Sequence, residues 1–155
     1  MTLEPGAYLA TMSGFHGAAG RGLIGGIEAL DNAASTHLLN ISTNTLVEVG
    51  QEVMAGFIVT GSGAGRFVFS AEDQDGVFDP QLRLTRFPGG ELITENDDWR
   101  DHPSAGELTA ALGREPNADR AAAFVVTLEP GAYLATMSGS HGAAGRGLIG
   151  GIQAR

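Results

Sequence analysis

The chain reads as an all-β protein: a jelly-roll-like or Ig-like β-sandwich with one short helix and an extra N-terminal β-hairpin. Three observations lead there. About nine or ten short segments suited to strands recur at a spacing of roughly 8–12 residues, the rhythm of sandwiches and jelly rolls. Of the 155 residues 24 are glycine, 43% are hydrophobic and only 17% are charged, which suits a turn-rich β protein better than a helical bundle. Finally, one stretch occurs twice. Residues 2–27 read TLEPGAYLATMSGFHGAAGRGLIGGI, and residues 127–152 differ from them only in Ser140 for Phe15, at an offset of 127 − 2 = 125 positions.

Each copy has the pattern of a hairpin. Glu4-Pro5-Gly6-Ala7 puts Pro second and Gly third in a turn, the type II arrangement, because Pro fixes φ near −65° and Gly accepts positive φ. Residues 7–13 then alternate as a strand, with Tyr8, Ala10 and Met12 on one face and Leu9, Thr11 and Ser13 on the other. Residues 14–20 form a Gly-rich loop, and residues 21–27 return as a second strand. So many glycines in a strand mark a close approach of another group. A lone hairpin is marginal in water, so it must dock on a larger sheet. Burying Tyr8, Leu9, Met12, Leu23, Ile24 and Ile27, at roughly 1.5–3 kcal/mol each, is the driving force.

The organisation that follows has a surplus hairpin over residues 1–27, either a donor or the tail of a preceding repeat. A polar linker over 28–35 leads to a sandwich over 36–155 closed by the hairpin 127–152. Within the sandwich, residues 37–41 and 45–49 read as strands separated by Ser42-Thr43-Asn44. Residues 53–60 are the most apolar run and are expected to be a buried central strand. A GSGAG turn at 61–65 leads to a strand at 66–71 and an acidic loop at 72–79. Residues 80–87 alternate, with Leu82 and Leu84 opposite Arg83, Thr85 and Phe87, and Pro88-Gly89-Gly90 turns the chain into a partner strand at 91–95.

The polar loop 96–103 carries the only tryptophan, Trp99, read as a plug beneath its loop rather than a sugar-stacking platform. Ser104 and Glu107 have capping-box spacing, so residues 108–112 begin a short helix ended by Gly113. Residues 117–122 read as a turn, and 124–128 as a strand entering the second hairpin.

A formal charge of −9 argues against nucleic acid and anionic membranes, both of which need basic patches. No apolar run is long enough to span a bilayer, so no membrane insertion is expected. With no cysteine there is no disulfide framework and no thiolate metal site. The first residues lack a basic stretch followed by an apolar one, so no signal peptide is read there.

Asp79-Pro80-x-Leu82-x-Leu84, the Gly-Gly turn, Leu92-Ile93, Asn96-Asp97-Asp98-Trp99 and Leu128-x-Pro130-Gly131-x-Tyr133 together resemble a bacterial pattern. It is similar to the β-sandwich modules of large secreted or surface proteins related to the pre-peptidase C-terminal domain, which run from a DPxLxL strand through an NDDW loop to a closing LPPGxYT hairpin. The resemblance covers residues 38–152 and departs from the pattern where the closing strand ends in Gly-Gly-Ile. It implies an extracellular or cell-surface module with an accessory, adhesive or structural role and no catalysis.

Chemistry-bearing residues are sparse. Asp73, Asp75, Asp79, Asn96, Asp97 and Asp98 are candidate oxygen ligands for calcium. Asp73 to Gly76 lacks the downstream Glu of an EF-hand loop, and the plainer reading is solvated loop acids that fix turns. Glu91, Glu95, Asp97 and Asp98 offer carboxylates to a glycosidase, but no spacing selects a pair. His16, His37, His102 and His141 have no zinc-ligand spacing. Neither Met12-Ser13-Gly14 nor Gly61-Ser62-Gly63 makes a nucleophile elbow, and the Gly-rich loop at 17–22 lacks the Lys of a phosphate loop. Asn40-Ile41-Ser42 fits the N-glycosylation sequon. No cofactor is expected, calcium remaining a candidate and carbohydrate a candidate partner.

One sandwich with one groove for a closing hairpin has two hairpins to fill it. The expected partner of the surplus copy is therefore another copy of the chain. That makes a head-to-tail homopolymer held by strand addition, a non-enzymatic fibre or pilus-like filament. The contact residues expected are Tyr8, Leu9, Met12, Phe15, Leu23, Ile24 and Ile27. Phe15 suits a loop buried against a neighbour and Ser140 one left in solvent, so Phe15→Ser is expected to weaken assembly. The alternative is a calcium- or carbohydrate-binding accessory module of a large tandem-repeat surface protein.

Overall fold

Eight strands pair as though one long antiparallel hairpin had been rolled up. The computed structural model describes residues 4–18, 20, 22–26 and 40–154, and the chain divides into two compact units, 1–38 and 39–155. The second unit holds β1 (Asn40–Val47), β2 (Glu52–Val59), β3 (Gly65–Asp73), β4 (Pro80–Arg86), β5 (Leu92–Asn96), α1 (Ala105–Leu112), β6 (Ala122–Leu128), β7 (Gly131–Gly139) and β8 (Gly145–Gln153). β1 pairs with β8, β2 with β7, β3 with β6 and β4 with β5, all antiparallel. Rolling the ladder adds β3 to β8 and β4 to β7, giving sheets of order β1-β8-β3-β6 and β2-β7-β4-β5. This is the jelly-roll form of the all-β sandwich with one short helix.

Alternation decides which face each strand buries. Leu82 and Leu84 of β4, Tyr133, Ala135 and Met137 of β7, and Phe69 and Ala71 of β3 meet between the sheets. A second apolar layer covers the outer face of the β3–β6 pair, where Trp99 and Leu108 pack against Val68, Ala123 and Val125. Trp99 is the plug expected: it is buried, and its indole N–H donates to the Ala118 carbonyl at 3.2 Å.

Several expectations change. Residues 40–47 are one strand, because Thr43 and Thr45 turn inward beside β8 and leave Ser42 and Asn44 on the outer face, so Ser42-Thr43-Asn44 makes no turn; residues 37–39 lie outside the described residues. The apolar run 53–60 is not central. β2 is an edge strand with Met54 and Ile58 exposed, and the central places go to β7 and β4. β3 extends through Glu72 and Asp73, which the sequence assigns to a loop; both are buried, and arginines neutralise them.

The capping box does not form either. Ser104 precedes α1 without a side-chain cap, because its hydroxyl accepts the Val125 N–H at 2.9 Å and lies 2.8 Å from His102 Nδ1. Glu107 pairs with Arg66 instead.

The largest correction concerns the repeated stretch. In its second copy β7 and β8 do not pair with each other: β7 lies in one sheet and β8 in the other, so the motif is an arch that spans the sandwich. Its glycines are explained by this. The two legs face each other through side chains, and a Cβ on Gly147 would come within 2.8 Å of Met137 Sδ and of Phe78. One on Gly151 would come within 2.7 Å of Phe57.

Candidate functional site

The chain's most distinctive feature is that this arch occurs twice. In the second copy, Gly139 leads into a tight turn over Ser140–Gly142, His141 takes φ 51°, and the Ala143 N–H donates to the Ser140 carbonyl at 2.8 Å. A non-glycine residue at positive φ is uncommon, His being one of the types that tolerate it. A Cβ on Gly139 would collide with the Ala143 carbonyl, so glycine is required for the bend. Tyr133 closes the other end of β7, its hydroxyl donating to the Glu129 carbonyl at 2.7 Å.

The first copy repeats each of these details. Phe15–Gly17 form the turn, His16 has φ 51°, and the Ala18 N–H donates to the Phe15 carbonyl at 3.1 Å. A Cβ on Gly14 would collide with the Ala18 carbonyl, and the Tyr8 hydroxyl donates to the Glu4 carbonyl at 2.6 Å. Met12 leans on Gly22 as Met137 leans on Gly147: a Cβ on Gly22 would sit 2.5 Å from Met12 Cε.

What the first copy lacks is sheets. Among the described residues of the first unit there is no strand, so they show no ladder of the extra hairpin expected there. The reason is physical. The legs of an arch direct their backbone groups sideways toward neighbouring strands and not toward each other, and without those neighbours no ladder forms. Tyr8 is 59% exposed and Met12 52%, whereas their counterparts Tyr133 and Met137 are 1% and 0%. Leu9, Leu23 and Ile24 are exposed as well, and Ile27 lies outside the described residues.

At the single difference Ser140 departs from expectation: it is buried and not left in solvent. Ser140 is the buried residue, 7% exposed with its N–H donating to the Asp79 carbonyl at 2.8 Å, and Phe15 is 83% exposed with its ring edge-on to His16. The turn packs against the start of β4, and that corner has room for a hydroxymethyl group.

The candidate calcium ligands are placed but not gathered. Asp73 gives one carboxylate oxygen to the Asp75 N–H at 2.9 Å and the other to Arg120 at 2.7 Å. Burial would raise its pKa, but the Asp75 N–H, Arg120 and backbone N–H groups of Phe78 and Gly76 outweigh that and hold it below the ordinary carboxylate value. Asp75 accepts the Arg146 N–H, tying this loop to β8. Asn96 is buried and spends both ends of its amide, donating to the Asp98 carbonyl and accepting the Ala123 N–H. Asp98 is pushed up by burial and by the charges of Asp97, Asp79, Asp101 and Asp119. Among the described residues no three His, Asp or Glu side chains converge as a metal set.

Other candidates are equally dispersed. Glu91 and Glu95 lie on the exposed β4–β5 hairpin opposite Arg86 and Arg83. An open cleft of about 310 Å³ there is lined by Arg86, Glu91, Ile93, Glu129 and Tyr133, with the Arg86 guanidinium over the buried Tyr133 ring. It presents no exposed aromatic platform for a sugar. Asn40 is exposed at the first position of β1, opposite Ile152. His37 lies outside the described residues.

Sequence reasoning missed the Arg114–Glu72 and Arg120–Asp73 pairs, which join segments more than forty residues apart and leave no local pattern. No family model matches the chain, and no curated protein matches it closely enough to assign a relationship.

Proposed function

We propose that the protein is a non-enzymatic structural subunit of an extracellular bacterial fibre or pilus-like filament, in which the first arch of one copy adds to the sandwich of the next. The observation that carries this reading is the pair of arches themselves. They share 25 of the 26 residues between 2–27 and 127–152 and the same turn geometry, yet one is built into both sheets while the other exposes the apolar side chains that its twin buries. Extended apolar segments without strand partners are suited to strand addition. Donor and acceptor sit in different parts of one chain, so the contact is head-to-tail and propagates. The resemblance of residues 38–152 to secreted modules supports an extracellular setting.

The test compares the whole chain with the chain lacking residues 1–27, by native mass and electron microscopy. The whole chain is expected to form filaments and the shortened one to remain monomeric. Filaments that persist unchanged without residues 1–27 overturn the reading.

A second reading is favoured by the 125-residue offset between the copies, about one sandwich long. Here the module belongs to a covalent tandem array, an accessory protein that binds calcium or carbohydrate. A denatured mass of many modules, with a heat of binding for calcium or glycans, would replace the fibre reading with this one.

A further inference from the structure

The two sides of the sandwich are finished differently. On one side α1 and the Trp99 turn cover the outer face of β6, the Ala123 and Val125 N–H groups at its edge donate to Asn96 and Ser104, and the short β5 is bonded only to β4. On the other side β1 and β2 are bonded only to β8 and β7, and their outer edges carry no partner strand among the described residues. Their inward side chains show the same asymmetry. Thr43 and Thr45 on β1, and Val53, Ala55 and Phe57 on β2, are only half-buried, with Val47 and Val59 buried at the strand ends, while Ala135, Met137 and Ile149 one strand further in are fully buried. An open, partly apolar edge of this kind is a template for pairing.

We infer that the outer edge of β1 and β2 is the acceptor for residues 7–13 and 22–26 of a second copy, which add a fifth strand to each sheet. This inference deepens the fibre reading and rests on it. Three observations choose the occupant. First, β1 and β2 already pair with this very sequence on their inner sides, along eight residues each. Secondly, the β1–β2 and β7–β8 turns lie at the same end, since Val47 stands opposite Gly145 and Glu52 opposite Ser138. An arch of the same shape stacked outside β1 and β2 is therefore antiparallel to both and turns at the same end. Thirdly, the first arch carries the inward residues that such an edge needs, Tyr8, Met12 and Ile24, all exposed.

Phe15 separates this site from the inner one. In the inner position residue 140 is buried beside Asp79 at the start of β4, where a phenyl ring overfills the corner. Outside β1 and β2 no β4 lies beyond the arch, and the ring is unhindered. The one substitution between the copies thus keeps the first arch out of the position already filled by β7 and β8 and leaves it free for the open edge.

The chain has no cysteine, so introduced pairs report neighbours cleanly. In the existing ladder Thr136, the counterpart of Thr11, lies opposite both Met54 and Arg83. Met54 borders the inner position and also the open edge, whereas Arg83 borders the inner position alone. The whole chain is prepared with Met54→Cys and, in turn, Leu9→Cys, Thr11→Cys or Ser13→Cys. The same three are then combined with Arg83→Cys, and each is oxidised mildly at filament-forming concentration. The expected result is a ladder of chains joined through position 54 for at least one pair, with none through position 83.

Joining through both positions means that the first arch displaces β7 and β8, which overturns the edge site but keeps head-to-tail assembly. A disulfide within a single chain overturns the second copy as occupant. Filaments without any such disulfide overturn the edge site, and a chain that stays monomeric overturns the fibre reading with it.

Discussion

Met137 reaches across the sandwich from β7 to lie against Gly147 on β8, so close that a Cβ there would stand 2.8 Å from its sulfur. Phe78 Cε1 would stand 2.8 Å from the same Cβ. Gly147→Ala is therefore expected to destabilise the sandwich by about 1–3 kcal/mol, the usual cost of overpacking a core. Urea unfolding gives the number. Gly22→Ala, at the matching place in the first arch, should leave the sandwich's own midpoint where it is.

Serine at position 140 is expected to be required for the native sandwich. Ser140→Phe should cost about 1–3 kcal/mol, because the buried turn beside Asp79 has no room for the ring. Phe15→Ser makes the two arches identical over residues 2–27 and 127–152 and should let the first compete for the inner position. The measurement is the Arg83→Cys, Thr11→Cys disulfide, expected in the Phe15→Ser background and not in the parent.

His102 is expected to make the sandwich sensitive to mild acid. The Ser104 N–H donates to its Nδ1 at 3.1 Å, so that nitrogen carries no proton, and Nε2 lies 2.9 Å from the Thr94 hydroxyl. Burial lowers its pKa from the ordinary 6.5. A group whose folded pKa is depressed binds more protons when unfolded, so its contribution is complete above about pH 6.5 and is lost as pH falls toward the folded value. Urea midpoints should drop between pH 7.5 and 5 in the parent and drop less in His102→Gln.

Arg120 holds Asp73 in its buried, ionised state, 2.7 Å from the carboxylate. Because the arginine side chain is 39% exposed, Arg120→Ala should cost about 1–3 kcal/mol, the lower range for stranding a buried acid. Asp73 has a lowered pKa, so what it contributes is present above about pH 3.8 and is lost as pH falls through the folded value. Removing Arg120 should shift the acid-unfolding midpoint upward, measured by circular dichroism.

Local chemistry made much of this fold legible. Leu82 and Leu84 alternating against Arg83 and Thr85 identified β4 and its inner face, and Pro88-Gly89-Gly90 identified the turn into β5. Gly113, at φ 74°, marked the end of α1. What stayed hidden depends on distant partners. A strand, a Gly-rich loop and a strand describe a hairpin and an arch equally well, and only β1 to β4 decide that β7 and β8 belong to different sheets. Ser104 carried a capping signal, but Val125, 21 residues away, claimed its hydroxyl. At the candidate site the repeat itself was visible in the letters. The burial of Ser140 was not, because burial of a turn residue is set by the strand that the turn lands on, here the start of β4.

The rolled ladder also sets an order of events in folding. β7 and β8 are the last strands of the sandwich to leave the ribosome, yet each holds a central place, so the β2-β7-β4-β5 sheet cannot close before β7 is made, nor the β1-β8-β3-β6 sheet before β8. Pairing β1 with β8 joins Asn40 to Ile152 across nearly the whole unit, a contact order that belongs with folding in milliseconds to seconds. Until β7 and β8 are made, residues 2–27 present the same sequence with no rival from residues 127–152. A misfolded intermediate with the wrong arch inserted is the hazard such a duplication invites, and position 15, phenylalanine where the second copy has Ser140, is the only place where the two sequences differ.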